Sequence, residues 1–151
     1  MQTRRQTLKH SAAVAGLLAT AGLLPQQALA FNKNAFEAKS LNDALKALGS
    51  GAPVEDAGVT LTAPDIAENG AVVPLAVAST LPNIKQLVLM VEKNPNALGA
   101  VFNVTPEVEA SFATRTKMGQ SSDDYAVAIT ADGKAHYAKK EVKVTLGGCG
   151  G

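Results

Sequence analysis

Two hydrophobic periodicities divide most of the chain into a short helical stretch and a long strand-like one. Four apolar residues recur at helical spacing and share one face: Leu41, Ala44, Leu45 and Leu48. Ser40 is placed to cap the N-terminus of this helix, with Asp43 three residues on. Gly49 follows as the expected stop. The pattern therefore predicts one short helix near the start of the body of the chain.

From Val59 onward, apolar and polar residues alternate with a period of two, which is typical of strands. Turn-forming pairs such as Asn69-Gly70 and Asp132-Gly133 separate the runs. We predict about seven strands: Gly58–Thr62, Ala71–Thr80, Ile84–Glu92, Gly99–Thr105, Val108–Lys117, Tyr125–Thr130 and Ala135–Leu146. Strands at this spacing, without helical crossovers, predict a mainly β protein with an immunoglobulin-like antiparallel β-sandwich.

The composition excludes several classes of site. The 151 residues include one Cys and two His, and the formal net charge is +1. One Cys cannot build a disulfide framework or a zinc site of several thiolates. The near-zero charge does not favour nucleic acid as a partner, and there is no glycine-rich phosphate loop. We therefore expect a chain of one domain with no metal and no cofactor of its own.

Residues 1–30 have the features of an export signal. Arg4, Arg5 and Lys9 precede an apolar stretch, and Ala28-Leu29-Ala30 matches the small-x-small cleavage pattern. The paired arginines resemble the twin-arginine motif, a signal for export of folded proteins; a helical membrane anchor is the alternative. The 121 residues after this signal have a net charge of about −2, so neither a membrane surface nor a polyanion is expected as a partner.

The polar residues of the body do not form an evident catalytic set. His136 lies in a predicted strand without a nearby Cys or His, so we expect it to have a packing role. Two acidic pairs are interpreted as solvated turn charges: Glu55-Asp56 and Asp123-Asp124. Lys139 and Lys140 are interpreted as an exposed edge that discourages strand pairing.

The C-terminal residues carry the chemistry that this sequence offers. The sole cysteine is bracketed by glycine pairs, in the order Gly147, Gly148, Cys149, Gly150 and Gly151. Glycine admits many backbone conformations, so we predict a flexible arm. Extended chain from Val144 to Cys149 spans at most ~17 Å. A thiolate forms mixed disulfides and persulfides readily, whereas a catalytic cysteine needs a fixed activating group. We therefore predict a covalent carrier, not an enzyme.

Two other interpretations apply to this ending. The cysteine of an exported binding module would form an intermolecular disulfide, and this alternative remains open. The last two residues, Gly150 and Gly151, are also similar to the ending of ubiquitin-like sulfur carriers. Their C-terminus is activated by ATP, which the export signal argues against.

The ending resembles the swinging arm of the SoxY family, the sulfur-carrier subunits of the periplasmic thiosulfate-oxidising system. The body carries further matches: Pro64 to Gly70, Val73-Pro74, Asn94-Pro95, Thr114-Arg115 and Val142 to Thr145. The resemblance extends from the twin-arginine signal to the arm. The division is then a signal peptide over 1–30, an immunoglobulin-like carrier domain with its helix over 31–146, and the arm over 147–151.

The resemblance implies partners and a role for Cys149. The family pairs with a second β-sandwich subunit, SoxZ, in a heterodimer in the periplasm. A haem-containing c-type cytochrome enzyme couples thiosulfate to the thiol that corresponds to Cys149. A dimanganese hydrolase then releases sulfate, and a molybdenum dehydrogenase acts on the remaining sulfur. None of these metals belongs to this chain. The turn at Glu68-Asn69-Gly70 is not expected to have a chemical role.

Overall fold

A computed structural model describes residues 32–146 of the chain. These residues form two short helices and nine strands. The helices are α1 (Lys33–Glu37) and α2 (Leu41–Ala47). The strands are β1 (Pro53–Glu55), β2 (Val59–Thr62), β3 (Ile66–Ala67), β4 (Val73–Ser79), β5 (Ile84–Val91), β6 (Leu98–Asn103), β7 (Ser111–Thr116), β8 (Ser122–Thr130) and β9 (Ala135–Val144).

The strands form two sheets, as the β-sandwich prediction requires. The large sheet has the order β1-β9-β8-β5-β6, with β3 also paired to β9, and the small sheet has the order β2-β4-β7. Most neighbours are antiparallel. The exceptions are β1 and β3, which run parallel to β9 near its two ends. The chain leaves the large sheet between them to form β2 of the small sheet.

Apolar side chains cover both faces of the central strands. In β5, Leu87 and Leu89 face the small sheet, while Val88 and Met90 belong to a second cluster with the helices. Alternation along a strand sends successive side chains to opposite faces, so two covered faces give a nearly continuous apolar run. The molecule thus has three layers: helices, large sheet and small sheet.

The predicted helix is confirmed, together with its cap. The Ser40 hydroxyl accepts a hydrogen bond from the Asp43 amide at 3.2 Å. Gly49 has a φ of 80°, the left-handed conformation expected just past a helix end. The additional helix, α1, is capped by Asn32, whose side chain accepts from the Ala35 amide at 3.1 Å. Its five residues are too few to show a helical stripe in the sequence.

All seven predicted strands are present, with small shifts at their ends. The two strands that the pattern does not predict, β1 and β3, contain three and two residues, too few to show a period. The last strand ends at Val144 rather than at the predicted Leu146, which is 65% exposed.

The prediction for one acidic pair was wrong. Asp123 and Asp124 lie within β8 rather than in a turn, and Asp124 is fully buried. The reason is strand alternation, since Asp124 shares the inner face with the buried Ala126. Lys139 and Lys140, by contrast, lie at an edge as predicted, because β1 pairs with residues 135–137 of β9 and β3 with residues 143–144, and no described strand pairs with the stretch between them.

The Glu55-Asp56 prediction was also incomplete. Glu55 ends β1, and its side chain is exposed, as expected. The Asp56 carboxylate instead accepts from the Gly58 amide at 2.8 Å and lies 2.9 Å from Nδ1 of His136. This contact gives His136 the packing role that was expected for it.

Candidate functional site

The predicted site residues, Cys149 and the four glycines around it, lie outside the described residues. Their attachment to the domain is described, because the chain enters them from the end of β9. We call residues 143–146 the arm root. Two residues lie between Leu146 and Cys149, so three steps of extended chain place the cysteine at most ~11 Å from the end of the arm root.

Strand β3 holds one side of the arm root. Ile66 and Ala67 pair in parallel with Lys143 and Val144. The Lys143 amide donates to the Asp65 carbonyl at 3.0 Å, and the Thr145 amide donates to the Ala67 carbonyl at 3.1 Å. These bonds continue β9 past its pairing with β8 and fix the direction in which the chain leaves the sheet.

The turn after β3 holds the last described residues. The Thr145 hydroxyl donates to the Glu68 carbonyl at 3.2 Å, and the Gly70 amide donates to the Leu146 carbonyl at 2.8 Å. The Asn69 side chain stabilises the turn by accepting from the Ala71 amide at 2.9 Å. The sequence identified this motif only as a turn, whereas the structure shows that it binds the arm root. Its match to the family was the signal that could have indicated this role.

The opposite side of the arm root is held by the segment before β8. The hydroxyl of Ser121 accepts a hydrogen bond from the Val144 amide at 2.9 Å. Val142, just before the arm root, is fully buried in the core between the sheets. The Gly70 carbonyl also accepts from the Met118 amide at 2.7 Å, which ties the β3 turn to the segment after β7. Contacts on both sides therefore anchor the chain up to Leu146.

The surface around the arm root combines exposed apolar side chains with charges. Ile66 and Leu146 are more than half exposed, as is Val72 just beyond the turn. Lys140 lies 2.8 Å from the Asp65 carboxylate, and its hydrogen bond and charge lower the pKa of Asp65. Large apolar side chains that remain exposed often mark contact surfaces.

A groove of about 420 Å³ opens beside the segment that leads into β3. Its lining includes Ala63 and Pro64 from that segment, and Pro74 and Arg115 from β4 and β7. Three of these residues, Pro64, Pro74 and Arg115, belong to the matches on which the family resemblance rests. The groove therefore lies where the small sheet meets the segment that leads into β3, the strand that pairs with the arm root.

His136 is remote from the arm root along the strand. It lies at the start of β9, eight residues before Val144, which is ~26 Å along a strand. Within residues 32–146, no group of three or more His, Cys, Asp or Glu side chains is arranged to hold a metal ion. In the same part of the chain, no helix is long and apolar enough to cross a membrane.

Comparisons with known proteins point to one family. The family model of the sulfur oxidation protein SoxY matches residues 44–149. The sulfur carrier protein SoxY from Chlorobium limicola f thiosulfatophilum has a similar structure, with 32% sequence identity and a TM-score of 0.64. The alignment covers 71% of this chain and 97% of that one. No curated protein sequence matches the chain significantly.

More distant structures share the fold alone. A superoxide reductase (neelaredoxin) from Ignicoccus hospitalis is 20% identical, with a TM-score of 0.51. That alignment covers 57% of this chain and 79% of the reductase. At this level of identity, the likeness concerns the sandwich architecture and not the chemistry.

Proposed function

Since the chain belongs to the SoxY family of sulfur oxidation proteins, we propose that it carries sulfur intermediates of thiosulfate oxidation on Cys149. The observation that supports this most directly is the anchoring of the chain through Leu146, immediately before the glycine-bracketed cysteine. A carrier needs a firmly folded domain and a reactive group beyond its surface. The carrier role is also the one that the Chlorobium protein's description states for that protein.

The proposed chemistry begins with an oxidative coupling. The Cys149 thiol and thiosulfate form a sulfur–sulfur bond, giving a cysteine S-thiosulfonate, one proton and two electrons. A haem-containing partner enzyme accepts the electrons. Hydrolysis of the terminal sulfur–sulfur bond by a dimanganese partner then gives sulfate and a persulfide on Cys149. A molybdenum enzyme oxidises the remaining sulfane sulfur.

In this proposal the chain supplies attachment and presentation, and its partners supply catalysis. The separation of His136 from the arm root supports this division, because a general base must lie within hydrogen-bond reach of the group it activates. Glycines on both sides of Cys149 add little width to the backbone. The arm can therefore pass through a channel to a partner's active site that is too narrow for residues with larger side chains.

We further propose that the chain works in the periplasm, paired with a SoxZ-like β-sandwich subunit. The twin-arginine pattern of residues 1–30 supports export of the folded domain. Exposed Ile66, Val72 and Leu146 provide apolar surface for contacts with partners at the arm root. The three enzymes bind transiently, because each must release the arm to the next.

Intact-protein mass measurement on protein from cells exposed to thiosulfate tests the proposal. Samples are compared with and without reductant, alongside the Cys149→Ser variant. We expect sulfur- and sulfonate-bearing adducts that reductant removes and that the variant lacks. An unmodified thiol, or a single stoichiometric disulfide-linked dimer, would contradict the carrier role and favour a binding module with an intermolecular disulfide.

A further inference from the structure

Asp124 is a buried carboxyl group that the carrier chemistry does not use. It is 0% exposed, and neither of its oxygens has a hydrogen-bond partner among the described residues. Burial, with a smaller contribution from the charge of Asp123, raises its pKa to about 7. A lone carboxylate is costly inside a protein, so burial favours the neutral form of this group.

Lys140 lies directly across from Asp124 but binds elsewhere. The two residues are register partners in the antiparallel β8–β9 pair, which places their Cβ atoms on one face about 5 Å apart. The Lys140 ammonium instead donates to the Ala63 carbonyl at 2.6 Å and contacts the Asp65 carboxylate at 2.8 Å. Lys140 therefore starts on the strand position opposite the buried Asp124, but its ammonium binds the more exposed carboxylate of Asp65.

The segment that Lys140 binds also holds the arm root. The Asp65 carbonyl accepts from the Lys143 amide at 3.0 Å, and the next two residues form β3. Lys140 reaches this segment beside the stretch of β9 that lies between its pairings with β1 and β3. Its ammonium is consequently a clamp on the approach to the arm root.

Other charges near Asp124 are already engaged or lie on other faces. On its own strand, Asp123 points to the opposite face and pairs with Lys139 at 3.3 Å, while the Ser122 hydroxyl accepts from the Lys93 amide. On β9, His136 shares the face of Lys140 but pairs with Asp56.

The other strands packed around Asp124, which are β5 and the strands of the small sheet, present no titratable side chain to its face in the described part of the chain. Its register partner on β5 is Val91, and Glu92 lies just past the end of that strand. The inward side chains of the small sheet are non-titratable: Val59, Leu61, Val73, Leu75, Val77, Phe112, Thr114 and Thr116. Arg115 lies on the outer face, in register with Pro74. Lys140 is therefore the cation placed to neutralise an ionised Asp124.

We propose that Asp124 and Lys140 form a proton-controlled latch on the arm root. With Asp124 neutral, Lys140 clamps residues 63–65. When Asp124 releases its proton to solvent, the Lys140 ammonium turns to the new carboxylate and leaves that segment. The exchange is driven by the cost of an unpaired buried carboxylate, since the pair with Asp65 is largely exposed and weak; it is opposed by the loss of the Lys140 hydrogen bond to the Ala63 carbonyl. The latch is independent of what Cys149 carries.

Asp65 and Asp124 compete for the Lys140 ammonium, so a change at one carboxyl group affects the other. Removal of the Asp65 charge frees Lys140 for Asp124, which favours the carboxylate and lowers the pKa of Asp124. Removal of Lys140 leaves the carboxylate without a counter-charge, and the pKa of Asp124 rises. If Asp124 were a buried acid without this coupling, its pKa would not change when the Asp65 charge is removed. Its ionisation would also leave amide protection at the arm root unchanged.

NMR titration of the full chain from about pH 5 to about pH 9 tests the latch, since this range brackets a raised carboxyl pKa. It uses the Cys149→Ser background, so that the outcome does not depend on sulfur carriage. We expect the Asp124 carboxyl and the Lys140 side chain to change with one midpoint, which lies below the pKa of about 7 that burial gives Asp124 without Lys140. Amide protection at Lys143 and Thr145, corrected for intrinsic exchange, should fall several-fold across that midpoint. Asp124→Asn should abolish this change and keep protection high.

Asp65→Asn provides a second measurement at an exposed position, where folding is not at risk. We expect it to lower the Asp124 midpoint by roughly 0.5 unit or more. Lys85→Met is the matched control, since it removes an exposed lysine on β5 and leaves Lys140, Asp65 and the Asp123–Lys139 pair in place. Titration of Asp124 without a response at Lys140 and the arm root, or an unchanged midpoint in Asp65→Asn, would overturn the proposal.

Discussion

The two ends of β9 are built from similar parts but perform different tasks. At each end a short parallel strand pairs with β9, and an acidic residue near that strand contacts a basic side chain on β9. At the first end, Asp56 and His136 are both mostly buried, and Ala135 packs with the helices. At the second end, Asp65 is 88% exposed and the paired strand has two residues.

Because of this difference, one end of β9 stabilises the fold, whereas the other end can open locally. Contacts that bury apolar surface contribute most to global stability, whereas short and exposed contacts open at lower cost. The helix-covered end of β9 therefore anchors the fold. The end that leads to Cys149 is held mainly by backbone hydrogen bonds and one exposed ion pair. Such contacts can open and close locally while the rest of the sheet stays folded.

The largest effect is expected from a cavity at the anchored end. Leu45 is fully buried in the cluster that joins the helices to the large sheet, so Leu45→Ala removes packing that the surroundings cannot restore. We expect a loss of about 2–5 kcal/mol in the free energy of unfolding, measured by urea denaturation. Lys46→Ala on the exposed side of α2 is the control and should change it by less than about 0.5 kcal/mol. Equal effects of the two variants would contradict the anchoring role.

A smaller effect, dependent on pH, is expected at Asp124. Its folded-state pKa of about 7 lies above the unfolded value, so the folded state retains a proton that the unfolded state loses above pH ~4. The wild-type free energy of unfolding should therefore fall as pH rises from ~4 to ~7 and then level off. Relative to wild type, Asp124→Asn should gain about 2 kcal/mol between about pH 5 and about pH 8.

Urea denaturation of both proteins at several pH values measures this gain. The difference between them isolates Asp124 from the other titrating groups. Glu55→Gln is the control, because it removes an exposed carboxylate from the same sheet, next to Tyr137 near the other end of β9. A wild-type profile parallel to that of Asp124→Asn would show that the buried carboxyl does not titrate in this range.

Strand β8 shows what the sequence could and could not predict. Alternation of Val127 and Ile129 with alanines was sufficient to identify β8, and Ser40 with Gly49 bracketed α2 correctly. The burial of Asp124 escaped prediction because a carboxylate in a sequence indicates solvent, and only the pairing of β8 with β9 and the cover of the small sheet place it inside.

The chemistry of the candidate site stays a prediction from the sequence, whereas the contacts that hold the arm root were not predicted. The sole cysteine among glycines indicated Cys149 without any structure, and that prediction remains untested by the described residues. The contacts of the arm root escaped prediction because they join positions distant in sequence, such as Ser121 with Val144 and Gly70 with Leu146. A two-residue strand has no period, so β3 left no hydrophobic signal.

The smallest effect on global stability is expected at the arm root, where Ser121→Ala removes the acceptor for the Val144 amide. We expect a decrease of at most about 1 kcal/mol in the free energy of unfolding, because the contact is partly exposed. Hydrogen exchange at the Val144 amide should nevertheless accelerate several-fold, while exchange at Val127 in the centre of β8 remains unchanged. Ser111→Ala on exposed β7 is the control, since β7 pairs with β4 in the other sheet.

Two other outcomes of the Ser121→Ala experiment would revise the comparison between the ends of β9. Unchanged exchange at the Val144 amide would mean that the pairing with β3 holds the arm root without help from Ser121. Equal acceleration at Val127 would mean that the two ends of β9 unfold as one unit. The division between an anchored end and an adjustable root would then be wrong, because local opening at the root requires that its contacts break before the core of the large sheet does.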